Sequence, residues 1–385
     1  MKKVTYLILY IIFTFFLYYS FFLFRDIFMN KIDFSEIKQY IDDNNYVLAK
    51  EKFIALKYNI NEKTNHNFTF SKKSIDGLGV YKTKDNSVIN LNSFKKYNIN
   101  QYNYTISDFN QYLEELNIDF VYMESPDKNY FYKDYLNKYN LNYNYDSYKK
   151  LYKLFEKNGI NYIDTHNVIS KFSNTKEPYF YRGDYHWTSE TAKNMAIYFG
   201  KYVNDNYGYN LDLSVLDDDN FNIVKYDNSF AGFYIRKLGF GKEYYDDFNY
   251  YIYNKDSDFK ANYDGEEVNG SFEDVMYYKI YDTDDNIFSS QIMYEKQMYG
   301  IRALKQITNK GNDVQKRILV IGDSQFFPLG CFISLMFKNV DVIDIRTANG
   351  NFNGSVKKYI KNTKPDMVLY FTTTFDINDL NKIIN

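Results

Sequence analysis

Ile318-Leu319-Val320-Ile321-Gly322-Asp323-Ser324 is the stretch on which the fold turns. Four aliphatic residues in a row, bounded by Gly-Asp, read as a strand buried on both faces, the pattern of a parallel sheet. Gly322-Asp323 breaks the run and delivers a serine to a turn. A parallel strand needs a crossover, and an apolar helix over residues 324–338 supplies it, leading to a strand at 341–345. The same alternation extends in both directions. Residues 107–116 read as a helix, with Phe109, Tyr112, Leu113 and Leu116 on one face and Ser107 as N-cap. A buried strand at 119–124 ends in Ser125-Pro126-Asp127. A second helix at 148–157 stops at Asn158-Gly159, before a strand at 160–164. Thr188 caps a helix over 188–203 with Glu190 in its first turn, a helix follows at 355–362, and the last strand is at 366–371. The expectation is an α/β fold with a doubly wound, mostly parallel sheet, whose ligands sit at the carboxyl ends of the strands.

Two stretches depart from that rhythm. Residues 205–312 lose the register. They are dense in Asp, Asn and Tyr, with strand-like pieces such as 275–281, and read as a large ordered insert or lid. Residues 75–81, Ile-Asp-Gly-Leu-Gly-Val-Tyr, read as a hairpin or small edge element. At the N-terminus, Lys2 and Lys3 precede 21 residues without a charge, Val4 to Phe24, closed by Arg25-Asp26. At about 1.5 Å per residue this run matches a hydrocarbon core of about 30 Å. Tyr19-Ser20-Phe21-Phe22 offers no small-residue cleavage site, so the run reads as one retained transmembrane helix. The basic end stays in the cytoplasm and the rest lies outside, in the cell envelope. The organisation expected is a membrane anchor at 1–30, a juxtamembrane stalk at 31–74 and a catalytic domain at 75–385 carrying the insert.

Composition excludes more than it assigns. A net charge of −2 with no basic stripe argues against nucleic acid as a partner. The single cysteine, Cys331, rules out an internal disulfide and reads as a small buried side chain in the apolar helix. Tyrosines number 44, and where exposed they would suit stacking on carbohydrate.

The chemistry gathers in Tyr181-Arg182-Gly183-Asp184-Tyr185-His186-Trp187-Thr188, which holds one of three histidines and the only tryptophan. His186 is a base suited to near-neutral pH, Asp184 a carboxylate to orient it, and Ser324 a hydroxyl at a strand end for it to activate. Backbone N–H and helix dipole at Ser324 would face a developing oxyanion, and the scheme needs no cofactor. Two other readings compete. Asp164-Thr165-His166 together with Asp184-Tyr185-His186 could make a two-His, two-Asp metal site. A catalytically inactive chain could bind polysaccharide through its tyrosines.

At these residues the chain resembles the DHHW-type branch of the SGNH-hydrolase-like proteins, related to the alginate O-acetyltransferases AlgX and AlgJ. Asp184-Tyr185-His186-Trp187-Thr188 comes first and Ile321-Gly322-Asp323-Ser324 last, the order of that branch. Glu124-Ser125-Pro126-Asp127-Lys128 is similar to its strand-end Pro-x-Lys turn, and Tyr162-Ile163-Asp164 and Lys364-Pro365-Asp366 fit in order. The resemblance covers about residues 75–375. It implies an SGNH-hydrolase-like sheet, Ser324 as acyl-accepting nucleophile, His186 as base and Asp184 as third member. It also implies acetyl transfer to a secreted or cell-wall polysaccharide, fed by a membrane-bound O-acyltransferase. The same triad would serve an acetyl-esterase. Tyr185 stands where the eponymous motif has a histidine, and Gln325 stands where Phe is common. Tyr185, Trp187 and Arg346 are the expected substrate contacts, Arg346 alternatively pairing with Asp344. The oxyanion partners are unassigned, with Asn349, Asn351 and Asn353 as candidates.

Overall fold

Strands and helices follow one another largely where the apolar runs place them. The computed structural model describes residues 80–83, 87–90, 98–133, 145–238, 244–280, 293–344 and 355–372. In chain order the strands are β1 (Val80–Lys82), β2 (Val88–Asn90), β3 (Asp119–Met123), β4 (Tyr162–Ile163), β5 (Phe221–Phe230), β6 (Asp246–Tyr253), β7 (Phe259–Tyr263), β8 (Glu266–Gly270), β9 (Leu304–Asn309), β10 (Arg317–Gly322), β11 (Asn339–Asp344) and β12 (Met367–Phe371). The helices are α1 (Ile99–Glu115), α2 (Tyr145–Asn158), α3 (Thr165–Ile169), α4 (Ser189–Tyr207), α5 (Phe233–Leu238), α6 (Phe272–Met276), α7 (Phe326–Met336) and α8 (Val356–Thr363).

Eight strands form one sheet in the order β4-β3-β12-β10-β11-β9-β7-β8. The pairings from β4 across to β11 are parallel, and β9, β7 and β8 extend that edge antiparallel. Because successive side chains point to opposite faces, each parallel strand feeds two cores. Leu319 and Ile321 of β10, with Phe120 and Tyr122 of β3, pack under α1, α2 and α8 (Phe109, Leu113, Leu151, Phe155, Ile360). Ile318 and Val320, with Val121 and Met123, pack on the other face against α4 and α7 (Phe199, Phe332, Ile333). This explains why the parallel strands read as unbroken apolar runs. It also makes β10 the strand where the winding reverses. The chain leaves it through α7 on one face to β11, and returns through α8 on the other face to β12, on β10's far side. Such a reversal opens a crevice at the strand's carboxyl end, and Ser324 stands there.

Several local expectations are corrected. Helix α1 starts at Ile99, not at Ser107. Asn98 caps it through the Gln101 N–H, and Ser107 lies inside with its hydroxyl donating to Asn103 O at 2.8 Å. A mid-helix serine can bond back one turn, so it is not by itself a start signal. Thr188 does cap α4, accepting the Thr191 N–H. Residues 272–276 form a short helix with a Ser271–Asp274 capping box where a strand was expected at 275–281. The insert is built into the fold. Its β7, β8 and β9 join the main sheet, and β5 with β6 form a hairpin whose Phe221, Phe248 and Tyr250 share the α4–α7 core. Strands of five or six residues with polar outward faces leave too short a period to stand out in an Asn- and Tyr-rich chain. Cys331 is fully buried as expected, and burial pushes its thiol up to about 12. β1 and β2 pair antiparallel as a separate two-stranded sheet, which overlaps the element expected at 75–81 only at Val80 and Tyr81. Among the described residues no helix is long and apolar enough to cross a membrane. The Val4–Phe24 run, the stalk at 31–74, residues 75–79, Arg346 and the candidate asparagines 349, 351 and 353 lie outside the described residues.

Phe109→Ala, at a fully buried contact between α1 and the sheet, is expected to cost about 3–5 kcal/mol. Ile223→Ala, on a strand position 47% exposed, should stay within about 0.5 kcal/mol. Denaturant unfolding of the two variants decides. Comparable losses would mean that this core is wrongly placed.

Candidate active site

Ser324 follows directly from the end of β10. Asp323 shapes the turn: its Oδ1 accepts the Gln325 N–H at 2.9 Å and its carbonyl accepts the Phe326 N–H at 3.0 Å. The second component is a tight antiparallel turn. Phe180 pairs with Trp187, the Tyr181 N–H donates to His186 O at 3.2 Å, and the Thr188 N–H donates to Tyr179 O at 3.1 Å. Asp184 sits at the tip of that turn and His186 on its return arm, leading into α4.

Two hydrogen bonds fasten the turn to the serine loop. The Trp187 indole N–H donates to Gln325 O at 2.9 Å, and Gln325 Nε2 donates to Tyr185 O at 3.1 Å. They carry His186 to Ser324 across 138 residues of sequence, with Nε2 and Oγ 3.1 Å apart. On the other side of the ring, His186 Nδ1 lies 2.6 Å from Asp184 Oδ1. Asp184 Oδ1 also accepts the His186 backbone N–H at 2.9 Å, and Oδ2 accepts the Phe233 N–H at 2.6 Å. With the carboxylate as acceptor, Nδ1 carries the proton, which leaves Nε2 to accept from the Ser324 hydroxyl. Asp184, His186 and Ser324 are all buried. Burial pushes the Asp184 carboxyl up, but the His186 charge, its hydrogen bond and the two backbone N–H groups outweigh it and hold the group below the usual carboxylate range.

The expected substrate contacts fare differently. Tyr185 is half-buried, its ring 4.1 Å from the imidazole. Trp187 is fully buried and stacks on Phe371 at 5.8 Å. It offers no surface to a substrate. Its apolar body fills the core and its one N–H ties the two loops, a role that a motif position cannot reveal.

Three contributors come from the insert and carry no sequence signal. The Phe233 N–H reaches Asp184 because Gly232 allows a close approach. A Cβ at Gly232 would lie 2.6 Å from Asp184 Cβ and from Gly183 O, and one at Gly183 would meet Ile235 at 2.2 Å. Asp246 of β6 accepts from Arg182 Nε and from the Gly183 N–H, each at 2.9 Å. The Tyr294 ring stacks on His186 with centroids 3.9 Å apart.

Both Asp-x-His units are found, but they serve different places. His166 Nε2 accepts the Asp127 N–H at 2.9 Å, so its proton sits on Nδ1, 3.0 Å from Glu124 Oε1. Glu124, Asp164 and His166 lie close enough to hold an ion. However, an Nδ1 that carries a proton toward a carboxylate has no lone pair for a metal, and His186 has both nitrogens engaged elsewhere. The four residues of the two-His, two-Asp reading do not form one cluster. Burial pushes Glu124 up, against the opposing hydrogen bond and charge of His166.

Residues 84–210 match the family model described as SGNH hydrolase-like domain, acetyltransferase AlgX. This finds independently the resemblance carried by the motifs, and the matched stretch contains Asp184 and His186. A DHHW family protein from Eubacterium siraeum is similar in structure, with 16% identity, a TM-score of 0.56, and 81% of this chain and 97% of that one covered. PatB1 of Bacillus cereus is similar at 19% identity and a TM-score of 0.59, covering 79% of this chain and 97% of that one. These likenesses show a shared fold. No curated protein sequence matches the chain.

The two buried carboxyls have opposite linkage to pH. Asp184 is depressed, so its contribution to stability is present above an unfolded value of about 3.9 and is lost as pH falls through the folded value. Glu124 is raised, so its contribution is full below about 4.3 and is lost as pH rises through the folded value. In thermal unfolding against pH, Asp184→Asn should flatten the acid-side fall below about pH 4, and Glu124→Gln should reduce the loss on rising above about 4.3. Curves parallel to wild type would contradict the assigned environments.

Proposed function

We propose that the chain is a serine-dependent O-acetyltransferase of the cell envelope that acetylates a secreted or cell-wall polysaccharide. The observation that carries this reading is the continuous chain Ser324 Oγ, His186 Nε2, His186 Nδ1, Asp184 Oδ1, with steps of 3.1 and 2.6 Å, at the carboxyl end of the strand where the sheet reverses. The match of residues 84–210 to an acetyltransferase family model supports acetyl as the group moved.

In this mechanism Ser324 Oγ attacks the carbonyl carbon of an acetyl donor while its proton passes to His186 Nε2. Asp184 stabilises the imidazolium, aided by the Tyr185 and Tyr294 rings, whose π faces favour a cation. The tetrahedral oxyanion faces the Ser324 N–H. Collapse returns the proton to the leaving group and leaves an acetyl-serine. A sugar hydroxyl then gives its proton to His186, attacks the ester, and frees Ser324. Tyr185, half-buried beside the imidazole, and Arg346 contact the acceptor. The Val4–Phe24 run anchors the chain in the membrane with this domain outside, and a membrane-bound O-acyltransferase supplies the acetyl group across the bilayer. No cofactor takes part in these steps.

The full chain incubated with p-nitrophenyl acetate should show a burst, and intact mass should show one acetyl adduct. Ser324→Ala should abolish the adduct and lower turnover at least about 1,000-fold. Acetylated glycan formed from added polysaccharide marks a transferase, and ester hydrolysis unaffected by any glycan marks an acetyl-esterase. Turnover indifferent to Ser324→Ala in the folded protein would overturn the serine mechanism and leave polysaccharide binding as the function.

A further inference from the structure

The turn that follows β3 places a charged side chain where the mechanism above gives it nothing to do. Lys128 is 3% exposed, and its Nζ donates to Tyr181 O at 2.7 Å, Arg182 O at 2.7 Å and Asp184 O at 3.0 Å. Only the protonated amine has three N–H groups to give, and here all three meet carbonyls of the single turn that carries Asp184. A buried cation is costly unless its donors are filled. The convergence of the three carbonyls is therefore a condition of folding that constrains the turn itself.

We propose that Lys128 is a positioning residue for the reaction: it fixes Asp184 by gripping the backbone of its turn, and so sets the orientation of His186. This inference rests on the reading of Ser324, His186 and Asp184 as a triad. The grip is two-sided. Lys128 holds carbonyls, while on the N–H side the carboxylate of Asp246 takes the Gly183 N–H at 2.9 Å and the Arg182 side chain. A cation on the C=O groups and an anion on the N–H groups of adjacent peptides resist rotation of the Gly183–Asp184 segment in either sense.

Lys128 is itself held from below. The Asp127 N–H donates to His166 Nε2 at 2.9 Å, the Asn129 N–H donates to Asp127 Oδ1 at 2.8 Å, and Thr165 Oγ1 donates to Glu124 O at 2.7 Å. Here the second histidine–carboxylate pair finds a use, as the footing of the turn that presents the lysine. The carbonyl that Lys128 grips and the carboxylate that orients His186 belong to one residue. A backbone shift at Asp184 is therefore transmitted to its 2.6 Å contact with His186 Nδ1.

The test is a double-substitution cycle on the full chain in detergent micelles, with p-nitrophenyl acetate as substrate. Lys128→Met is expected to lower kcat about 10- to 100-fold with KM within about twofold, as for a displacement of the order of 1 Å in a catalytic group. In the Asp184→Asn background the same substitution should change kcat less than about twofold, because a residue acting through Asp184 has nothing left to position. Lys128→Arg, which keeps the charge but not the three-point geometry, should fall between wild type and Lys128→Met. If Lys128→Met does not fold, the cycle is run with Lys128→Arg, and the same loss of effect in the Asp184→Asn background is expected. An equal effect in both backgrounds, or a loss seen in KM and not in kcat, would overturn the proposal. So would unchanged kinetics for Lys128→Met while Ser324→Ala still abolishes turnover. Turnover indifferent to Ser324→Ala would instead remove the triad reading on which the proposal rests.

Discussion

A carboxylate shut away from water must have its lone pairs occupied, and at Asp184 that requirement organises the surrounding structure. Oδ1 takes two donors from His186, its ring Nδ1–H and its backbone N–H, and Oδ2 takes the Phe233 N–H. Each donor comes at a structural cost. The His186 contacts require a turn tight enough to return on itself within two residues. The Phe233 contact requires the insert to pass so close that positions 183 and 232 have no room for a side chain. Lys128 and Asp246 then hold that turn by its carbonyl and N–H groups. The depressed carboxyl is the electrostatic signature of these donors outweighing desolvation.

The insert is consequently part of the site's construction. It lengthens the sheet by three antiparallel strands, packs β5 and β6 into the core over α4 and α7, and sends Phe233, Asp246 and Tyr294 to the triad turn. Strand β10 presents the Ser324 loop and β3 the Lys128 turn at their carboxyl ends, and the insert supplies the wall against which the Asp184 turn is pressed. A site assembled from three distant segments has to be fastened where they meet. Trp187 and Gln325 do this with one hydrogen bond in each direction.

Among the described residues there are two histidine–carboxylate pairs, and the partner of Nε2 separates their uses. His186 turns Nε2 to a serine hydroxyl, a group that can give up its proton, and so can act as a base. His166 spends Nε2 on the Asp127 backbone N–H, which never transfers, and so serves the turn structurally. The carboxyls respond accordingly. Asp184 is held down by donors on both oxygens, whereas Glu124, with desolvation dominant, is pushed up.

The layered part of the fold was legible in the sequence, because a strand buried on both faces has to be apolar throughout and a helix needs a cap. Ile318–Ile321 and Thr188 satisfy those local conditions whatever surrounds them. The spacing of Asp184 and His186 and the place of Ser324 at a strand end were also legible, being local, but which of the two Asp-x-His units faces that serine was not. Ser107 misled because a hydroxyl inside a helix and one at its start look alike in sequence. Trp187 misled because a motif position does not say which way a side chain faces. Phe233, Asp246, Tyr294 and the convergence of three carbonyls on Lys128 were not legible, since each depends on segments far apart in the chain arriving within 3 to 4 Å. By itself the sequence determined the strand and helix order outside the insert, the place of Ser324 at a strand end and the closeness of Asp184 to His186, all of which rest on neighbours within a few residues. The tertiary structure alone decided which face of the turn meets the serine, what fills the lone pairs of Asp184 and which histidine is free to accept a proton, because hydrogen-bond satisfaction in a dry interior is settled by what packs there.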